Sequence, residues 1–306
     1  MEGNYSHQSN AYFRQSKGKQ LSGIRLAFLM IVLMGQLAGS PAQNPDRVAL
    51  AYKNQLVRVF EYRDSLKGVH PFVSGLYPIA IAEDGYFYVF DLDETRKEYR
   101  IVAYEEIEMK VPRGVRAAFP LQFYDNRCAC VVTGDVFHSP QGYVTIFHEF
   151  IHCHQWHTVE PELRKQLPLA QKALEKGNNM WEMNHPFPYN DHWFTETYGN
   201  FIKAAGEHDM VKVQYLRNEL REILNEDDYQ YMVWQEWKEG FALYIENKMR
   251  KHLNLPVNVV GRNDPYNRTV FYAGGEAIIS LLTESDPGLQ NDLVTLFHNI
   301  SQIDEP

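Results

Sequence analysis

The chain has 306 residues, of which 44% are hydrophobic, 13% aromatic and 23% charged. This composition excludes disordered, collagen-like and disulfide-scaffold proteins. The formal net charge is −9 and Lys and Arg form no long run, so the sequence predicts no nucleic-acid partner. Three cysteines, Cys128, Cys130 and Cys153, are too few for a disulfide framework or a thiolate zinc site.

The first 42 residues have the order of a secretory signal. A polar stretch with Lys17, Lys19 and Arg25 precedes the apolar run Leu26–Met34, and small residues follow as far as Ala42. We predict cleavage after Ala42 and a secreted or periplasmic mature protein. An uncleaved N-terminal anchor is the alternative, although the apolar run is shorter than the about 20 residues of a membrane-spanning helix.

Residues 43–137 are predicted to form an N-terminal helix and the β-rich half of one domain. Pro45 and the three- and four-residue apolar spacing that follows indicate a helix over 45–67. Beyond it, β-branched and aromatic runs alternate with turns, and Glu83-Asp84-Gly85 is typical of a hairpin turn. The predicted strands are YPIAIA (77–82), YFYVFDL (86–92), YRIVAY (99–104) and CACVVTGDVF (128–137).

Residues 138–306 are predicted to form the helical half. An insert over 158–225 holds an aromatic loop, 181–189, whose side chains, together with Trp193, either pack the insert onto the domain or line a cleft. Because strands come first and helices follow, the pattern predicts an α+β fold with a mostly antiparallel sheet. Helical periodicity occurs near 143–157, 160–176, 191–205, 209–224, 227–252, 269–284 and 288–300.

The sharpest motif is HEFIH over residues 148–152, an HExxH pattern on a predicted helix. Residues four apart share one helix face, so His148 and His152 can reach a single ion. Glu149 can then reach a metal-bound water without being a ligand itself. Catalytic zinc usually has three protein ligands, so a downstream acid is needed. The strongest candidate is Glu239 in WKEGFALYIE, and its rivals are Glu196, Glu236 and Glu246.

HEFIH followed by EGFALYIE resembles the gluzincin zinc metallopeptidases, particularly the aminopeptidase N-like catalytic domain. The resemblance implies a zincin-like fold and one Zn²⁺ per chain on His148, His152 and Glu239. It also implies hydrolysis of a peptide or protein substrate, with Glu149 as general base. A family tyrosine in Y-x-x-G matches Tyr272 in YAGG, which by resemblance donates a hydrogen bond to the oxyanion. The G-x-M-E-N element of the family, which binds a substrate amine, is absent before the HExxH motif.

Further expectations concern the surroundings of the motif. Gly240 and Ala242 are small, which predicts a close approach of the third-ligand helix to the HExxH helix. The strand Cys128–Phe137 is expected to pair with an extended substrate at the sheet edge. His154, His157 and the cysteines are interpreted as structural residues rather than metal ligands.

Two other functions remain open on the sequence. A non-catalytic exported binding protein on a zincin scaffold would account for the long aromatic insert and the missing amine-binding element, but it would have no need of Glu149. A chance HExxH would require EGFALYIE and YAGG to be coincidental as well. The oligomeric state and the preferred bond do not follow from these patterns.

Overall fold

The computed structural model describes residues 44–108 and 111–303, so the predicted leader and its cleavage site lie outside the described residues. The strands are β1 (Ile79–Glu83), β2 (Tyr86–Leu92), β3 (Tyr99–Glu106), β4 (Arg116–Leu121) and β5 (Arg127–Thr133). The helices are α1 (Pro45–Leu66), α2 (Pro140–Thr158), α3 (Glu160–Gln166), α4 (Pro168–Glu175), α5 (Trp181–Asn184), α6 (His192–Gly206), α7 (Met210–Ile223), α8 (Glu226–His252), α9 (Val270–Ser285) and α10 (Leu293–Ser301). Within these ranges, no helix combines the length and the apolar character needed to cross a membrane.

The five strands form one mixed sheet in the order β3-β2-β1-β5-β4. Three neighbouring pairs are antiparallel and only β1 and β5 run parallel. The described part of the chain therefore confirms the α+β class and a mostly antiparallel sheet. The predicted hairpin turn is also confirmed, because Asp84 and Gly85 both have positive φ between β1 and β2, as a two-residue turn requires.

Strand β4 is not predicted by the sequence pattern, and it changes which strand lies at the edge. Its sequence, RAAFPL, contains Pro120, which an edge strand tolerates because one side of it makes no ladder hydrogen bonds. Strand β5 pairs with β1 on one side and with β4 on the other. The expectation that residues 128–137 form a free sheet edge is therefore wrong. Strand β5 also ends at Thr133, and Gly134–His138 is a 3₁₀ helix.

The predicted helical segments are confirmed, with two interruptions. Leu167 is extended, with φ −90° and ψ 109°, because the proline that follows disfavours the helical conformation of the residue before it. The segment 160–176 is consequently two helices, α3 and α4. The segment 288–300 is likewise divided, into the 3₁₀ helix Leu289–Asn291 and α10.

The helical half packs on the sheet in successive layers. Helix α2 contacts β4 and β5, α8 packs on α2, and α9 packs on α8. Gly240 of α8 faces Gly275 of α9, where an added Cβ would lie 2.4 Å from the Gly275 Cα. The expectation that Gly240 brings α8 close to the HExxH helix is therefore wrong. Neighbouring helical residues are about 100° apart, so Gly240 faces α9 while Glu239 faces α2.

The insert over residues 158–225 is part of the same core. Trp181 and Phe187 are buried, and the Phe187 ring lies 5.0 Å from the ring of Phe271 on α9. The interpretation that these aromatic side chains pack the insert onto the domain is confirmed. Trp193 differs, because 66% of its surface is exposed.

His70 is a buried histidine whose two ring nitrogens are both used. Nε2 lies 3.1 Å from the carbonyl oxygen of Gln290, and Nδ1 accepts a hydrogen bond from the Phe72 N–H at 3.3 Å. The neutral ring with its proton on Nε2 satisfies both contacts, whereas a doubly protonated ring cannot accept from Phe72. Burial lowers the pKa of His70 to about 4.

We expect this histidine to make folding stability fall with acid. The unfolded-state pKa is about 6.5, so between pH 6.5 and 4 the unfolded chain binds the extra proton and stability falls as pH falls. The full loss, reached below pH 4, is up to about 3 kcal/mol. The free energy of unfolding of wild type and of His70→Gln, measured with urea from pH 7 to 4, tests this expectation. The variant should show the shallower pH dependence, and parallel profiles would contradict the assignment.

Candidate metal centre

The HExxH helix and the third-ligand helix are both fixed at their ends by local sequence. Helix α2 begins at Pro140, and the Ser139 hydroxyl accepts from the Gly142 N–H at 3.1 Å. Helix α8 begins after Asn225, whose side chain accepts from the Asp228 N–H at 3.0 Å. Its first turn is acidic and its last turn basic, which complements the helix dipole. These features set where the two helices begin, and the packing of α8 on α2 brings their residues together at the site.

His148 and His152 on α2 meet Glu239 on α8. One potential ligand atom from each residue lies within 4.8 Å of the others. Nε2 of His152 is 3.3 Å from Oε2 of Glu239, and the two imidazole centroids are 5.0 Å apart. The set could hold a metal ion. Two imidazoles and one carboxylate are the donors of many catalytic zinc sites, although other divalent ions accept the same donors.

Each histidine has a second partner that leaves Nε2 available for a metal. Nδ1 of His152 lies 2.9 Å from Oε1 of Gln155, an oxygen that only accepts, so Nδ1 carries the proton. Gln155 is itself held by donation to the Lys238 carbonyl at 3.2 Å. Nδ1 of His148 lies 2.8 Å from Oε2 of Glu246, as an ion-pair contact rather than an in-line hydrogen bond. Such outer partners orient metal-binding imidazoles.

Glu149 is buried next to the two histidines. Within the described chain its carboxylate has no hydrogen bond or ion pair, although only 6% of the residue is exposed. Burial raises the pKa of this carboxyl group, because low polarity penalises its charged form. A carboxylate in these surroundings is suited to accept a proton from a water molecule and to release it again.

Tyr272 lies in the first turn of α9, beside Glu239. Burial, together with the negative charge of Glu239, raises the pKa of Tyr272 well above its usual value. Its hydroxyl therefore keeps its proton at neutral pH. The close α8–α9 contact through Gly240 and Gly275 is what brings this hydroxyl to the ligand set.

The charges of the ligand set are coupled. Burial alone would lower the pKa of His148, but Glu246 raises it to about 9. Burial opposes ionisation of the two glutamates, yet contact with His148 lowers the pKa of Glu246 to about 2. His152 and Arg268 hold the pKa of Glu239 well below its usual range. Metal binding at such a site must displace a proton from His148.

The structure separates Glu239 from two of its sequence rivals. Glu236 accepts from Tyr198 of α6 and pairs with Arg217 of α7 rather than with the histidines, and Glu196 is an exposed residue of α6 paired with His192. Among the described residues, the structural interpretation also fits the neighbouring histidines and cysteines. His154 packs on Phe72 and Tyr77, His157 stacks on Tyr77, and all three cysteines are buried with free thiols.

Sequence reasoning misses the contacts of Gln155 and Arg268, and it names Glu246 only as a rival third ligand. Glu246 follows Glu239 by seven residues, two helical turns on the same face, and this spacing was the available signal. Gln155 follows His152 by three residues, which also places both on one face. Arg268 donates to Glu239 at 3.0 Å. No sequence spacing predicts this contact, because Arg268 lies in the irregular segment before α9.

Comparison with known proteins identifies no relative, since no family model, no curated protein and no solved structure matches the chain. Assignment of a function therefore depends on the chemistry and geometry of this site.

Proposed function

We propose that this chain is a zinc-dependent metallopeptidase of the gluzincin type. The observation that carries the proposal is the convergence of His148, His152 and Glu239 within 4.8 Å, although residues 153–238 lie between the last two. Glu149 is beside these donors and Tyr272 contacts the same glutamate. A chance HExxH on a structural helix would not be expected to gather all of these groups at one place.

The proposal includes a zincin-like arrangement of the fold and an extracytoplasmic location. In support, the HExxH helix lies against a mixed sheet and the third ligand comes from a later helix packed on it. The order HExxH, EGFA and YxxG along the chain agrees with the gluzincin resemblance. The leader over residues 1–42 supports export.

The chemistry follows from the residues around the ligand set. Zinc, when bound, supplies a Lewis acid and lowers the pKa of a coordinated water toward about 7. Glu149 accepts the proton from the attacking water and returns it to the leaving amine. The Tyr272 hydroxyl donates a hydrogen bond to the carbonyl oxygen as that oxygen becomes negative, a contribution of about 2.7–4 kcal/mol per donor.

We place the substrate backbone along β4. Among the described strands, β4 lies at the edge of the sheet and pairs with β5 alone, and it contacts α2. An extended peptide can add to such an edge through main-chain hydrogen bonds, which recognises a backbone without requiring a particular side chain. This replaces the expectation that residues 128–137 form the substrate strand.

Metal content of the purified chain, beside Glu239→Ala, tests the proposal. We expect one equivalent of zinc in wild type and most of it lost in the variant, because only two imidazoles would remain. Glu162→Ala is the matched control, since Glu162 is exposed on α3 and pairs with the neighbouring Lys165. Zinc measured by mass spectrometry gives the result.

Two outcomes would contradict the proposal. Wild type without stoichiometric zinc, even after reconstitution and removal of excess metal, would make HEFIH part of a structural helix. Zinc-loaded wild type that cleaves no member of a broad peptide library would leave a metal site without the hydrolytic function. In that case a non-catalytic binding protein would become the leading interpretation.

A further inference from the structure

Arg268 connects the third metal ligand to its surroundings. Its Nη1 donates to Oε1 of Glu239 at 3.0 Å and to Oε1 of Gln235 at 3.2 Å. Its guanidinium carbon lies 5.3 Å from the centroid of the Tyr272 ring. The side chain is 24% exposed, so the contact with Glu239 is largely shielded from water.

The two oxygens of Glu239 are divided between different partners. Oε2 lies 3.3 Å from Nε2 of His152, on the side of the ligand set. Oε1 is occupied by the hydrogen bond from Arg268. A carboxylate can bind a metal through one oxygen or through both, and a hydrogen bond to one of them favours coordination through the other. The contact therefore selects both the orientation and the coordination mode of this ligand.

Gln235 fixes Arg268 in turn. It lies one helical turn before Glu239 on α8 and is fully buried. Its amide oxygen accepts from Arg268, and its amide nitrogen donates to the Glu182 carbonyl at 3.3 Å. Glu182 belongs to α5 in the insert. A continuous hydrogen-bonded path thus runs from the insert through Gln235 and Arg268 to Glu239.

We propose that Arg268 is a positioning residue for the third metal ligand, which holds Glu239 to coordination through one oxygen, and that Gln235 supports it from the insert. The inference rests on the proposed zinc site. Charge alone predicts the opposite effect on metal binding, because a guanidinium near a dication repels it. Removing Arg268 therefore weakens zinc binding if the residue positions Glu239 and strengthens it if only its charge matters.

The test is zinc affinity, by competition with a chelator, in wild type, Arg268→Met and Arg268→Lys. We expect Arg268→Met to bind zinc about 10–100-fold more weakly, as is usual when an outer partner of a ligand is lost. Lysine retains a donor and should restore part of the affinity. Gln235→Met should show a smaller loss in the same direction. Arg262→Met is the control, since Arg262 is an exposed residue paired with Glu276.

Cobalt-substituted protein reads the coordination mode directly, because four-coordinate cobalt(II) absorbs visible light more strongly than five-coordinate cobalt(II). We expect weaker absorption in Arg268→Met, as Glu239 becomes bidentate. Circular dichroism of the metal-free variants checks folding. If Arg268→Met fails to fold, the zinc affinities of Arg268→Lys and Gln235→Met test the positioning role instead.

Unchanged or tighter zinc binding, or an unchanged cobalt spectrum, would overturn the positioning role while leaving peptide cleavage by wild type intact. Zinc-loaded wild type without cleavage would overturn the proposed function alone. A wild type that binds no zinc would overturn both.

Discussion

Glu149→Gln should abolish most peptide hydrolysis while zinc stays bound. The glutamate is buried beside both histidines and makes no contact that holds either helix within the described chain, so the amide should fit in its place. A glutamine cannot accept the proton of the attacking water. Loss of a general base typically costs about 10²–10⁴-fold in rate. We expect kcat to fall by this factor with unchanged zinc content, measured on a peptide that wild type cleaves.

The matched control is Glu162→Gln, the same chemical change at an exposed position of α3. It should retain wild-type activity and zinc. Zinc lost from Glu149→Gln would make Glu149 a ligand or a structural residue rather than the base. Full activity of Glu149→Gln would remove the proposed mechanism, because no other described acid beside the ligand set is free of a hydrogen-bonded or ion-paired partner.

Arg217→Met should cause the largest loss of stability. Arg217 and Glu236 are both fully buried and lie 2.9 Å apart, and Glu236 also accepts from the Tyr198 hydroxyl at 2.7 Å. Methionine preserves much of the packing on the Phe201 ring, which lies 4.4 Å from the guanidinium. It leaves Glu236 as a buried charge without its cation. Breaking a buried ion pair on one side costs about 3–5 kcal/mol, and urea unfolding at pH 7 measures this free energy.

The double variant Arg217→Met/Glu236→Leu separates the cost of an unpaired charge from the value of the pair. A buried pair replaced by apolar residues is often close to neutral, so the double variant should recover most of the stability. Tyr198 loses its acceptor in that variant, and a residual loss of about 1–3 kcal/mol is expected. A double variant less stable than Arg217→Met would show that the ion pair itself stabilises the fold.

The predicted elements follow from patterns that act locally. The helix over 45–67, the hairpin turn and the long helix carrying Glu239 are strongly periodic or have turn residues with one conformation, and the structure has all three. Strand β4 was beyond the sequence pattern, since its proline and alanines have low strand preference and its pairing with β5 is what makes it a strand. Pro168, by contrast, was a local signal for the break between α3 and α4.

The candidate site also combines residues placed by local sequence with residues placed by tertiary packing. His148, Glu149 and His152 occupy one helix turn, so helix geometry alone places them together. Choosing Glu239 among four acids depended on its small neighbours and on the resemblance. The convergence of that residue on the histidines depends on how α8 packs against α2. Gly240 and Gly275 show what sequence patterns do not predict about helix packing. The sequence marks both as small, but only the packed helices decide that they face each other.

The sequence by itself therefore determined the α+β class, most helices, the HExxH face and the order of the three motifs, because each depends on residues close together along the chain. The tertiary structure decided which strand is the edge, which acid meets the histidines, and which residues hold the ligands from outside. Arg268, Gln235 and Glu246 join Glu239 and His148 across turns, helices and the insert. Helical spacing shows that Gln235 and Glu246 share a face with Glu239, but it does not name their partners. Those contacts depend on side chains that only the packing of distant segments brings within hydrogen-bonding distance.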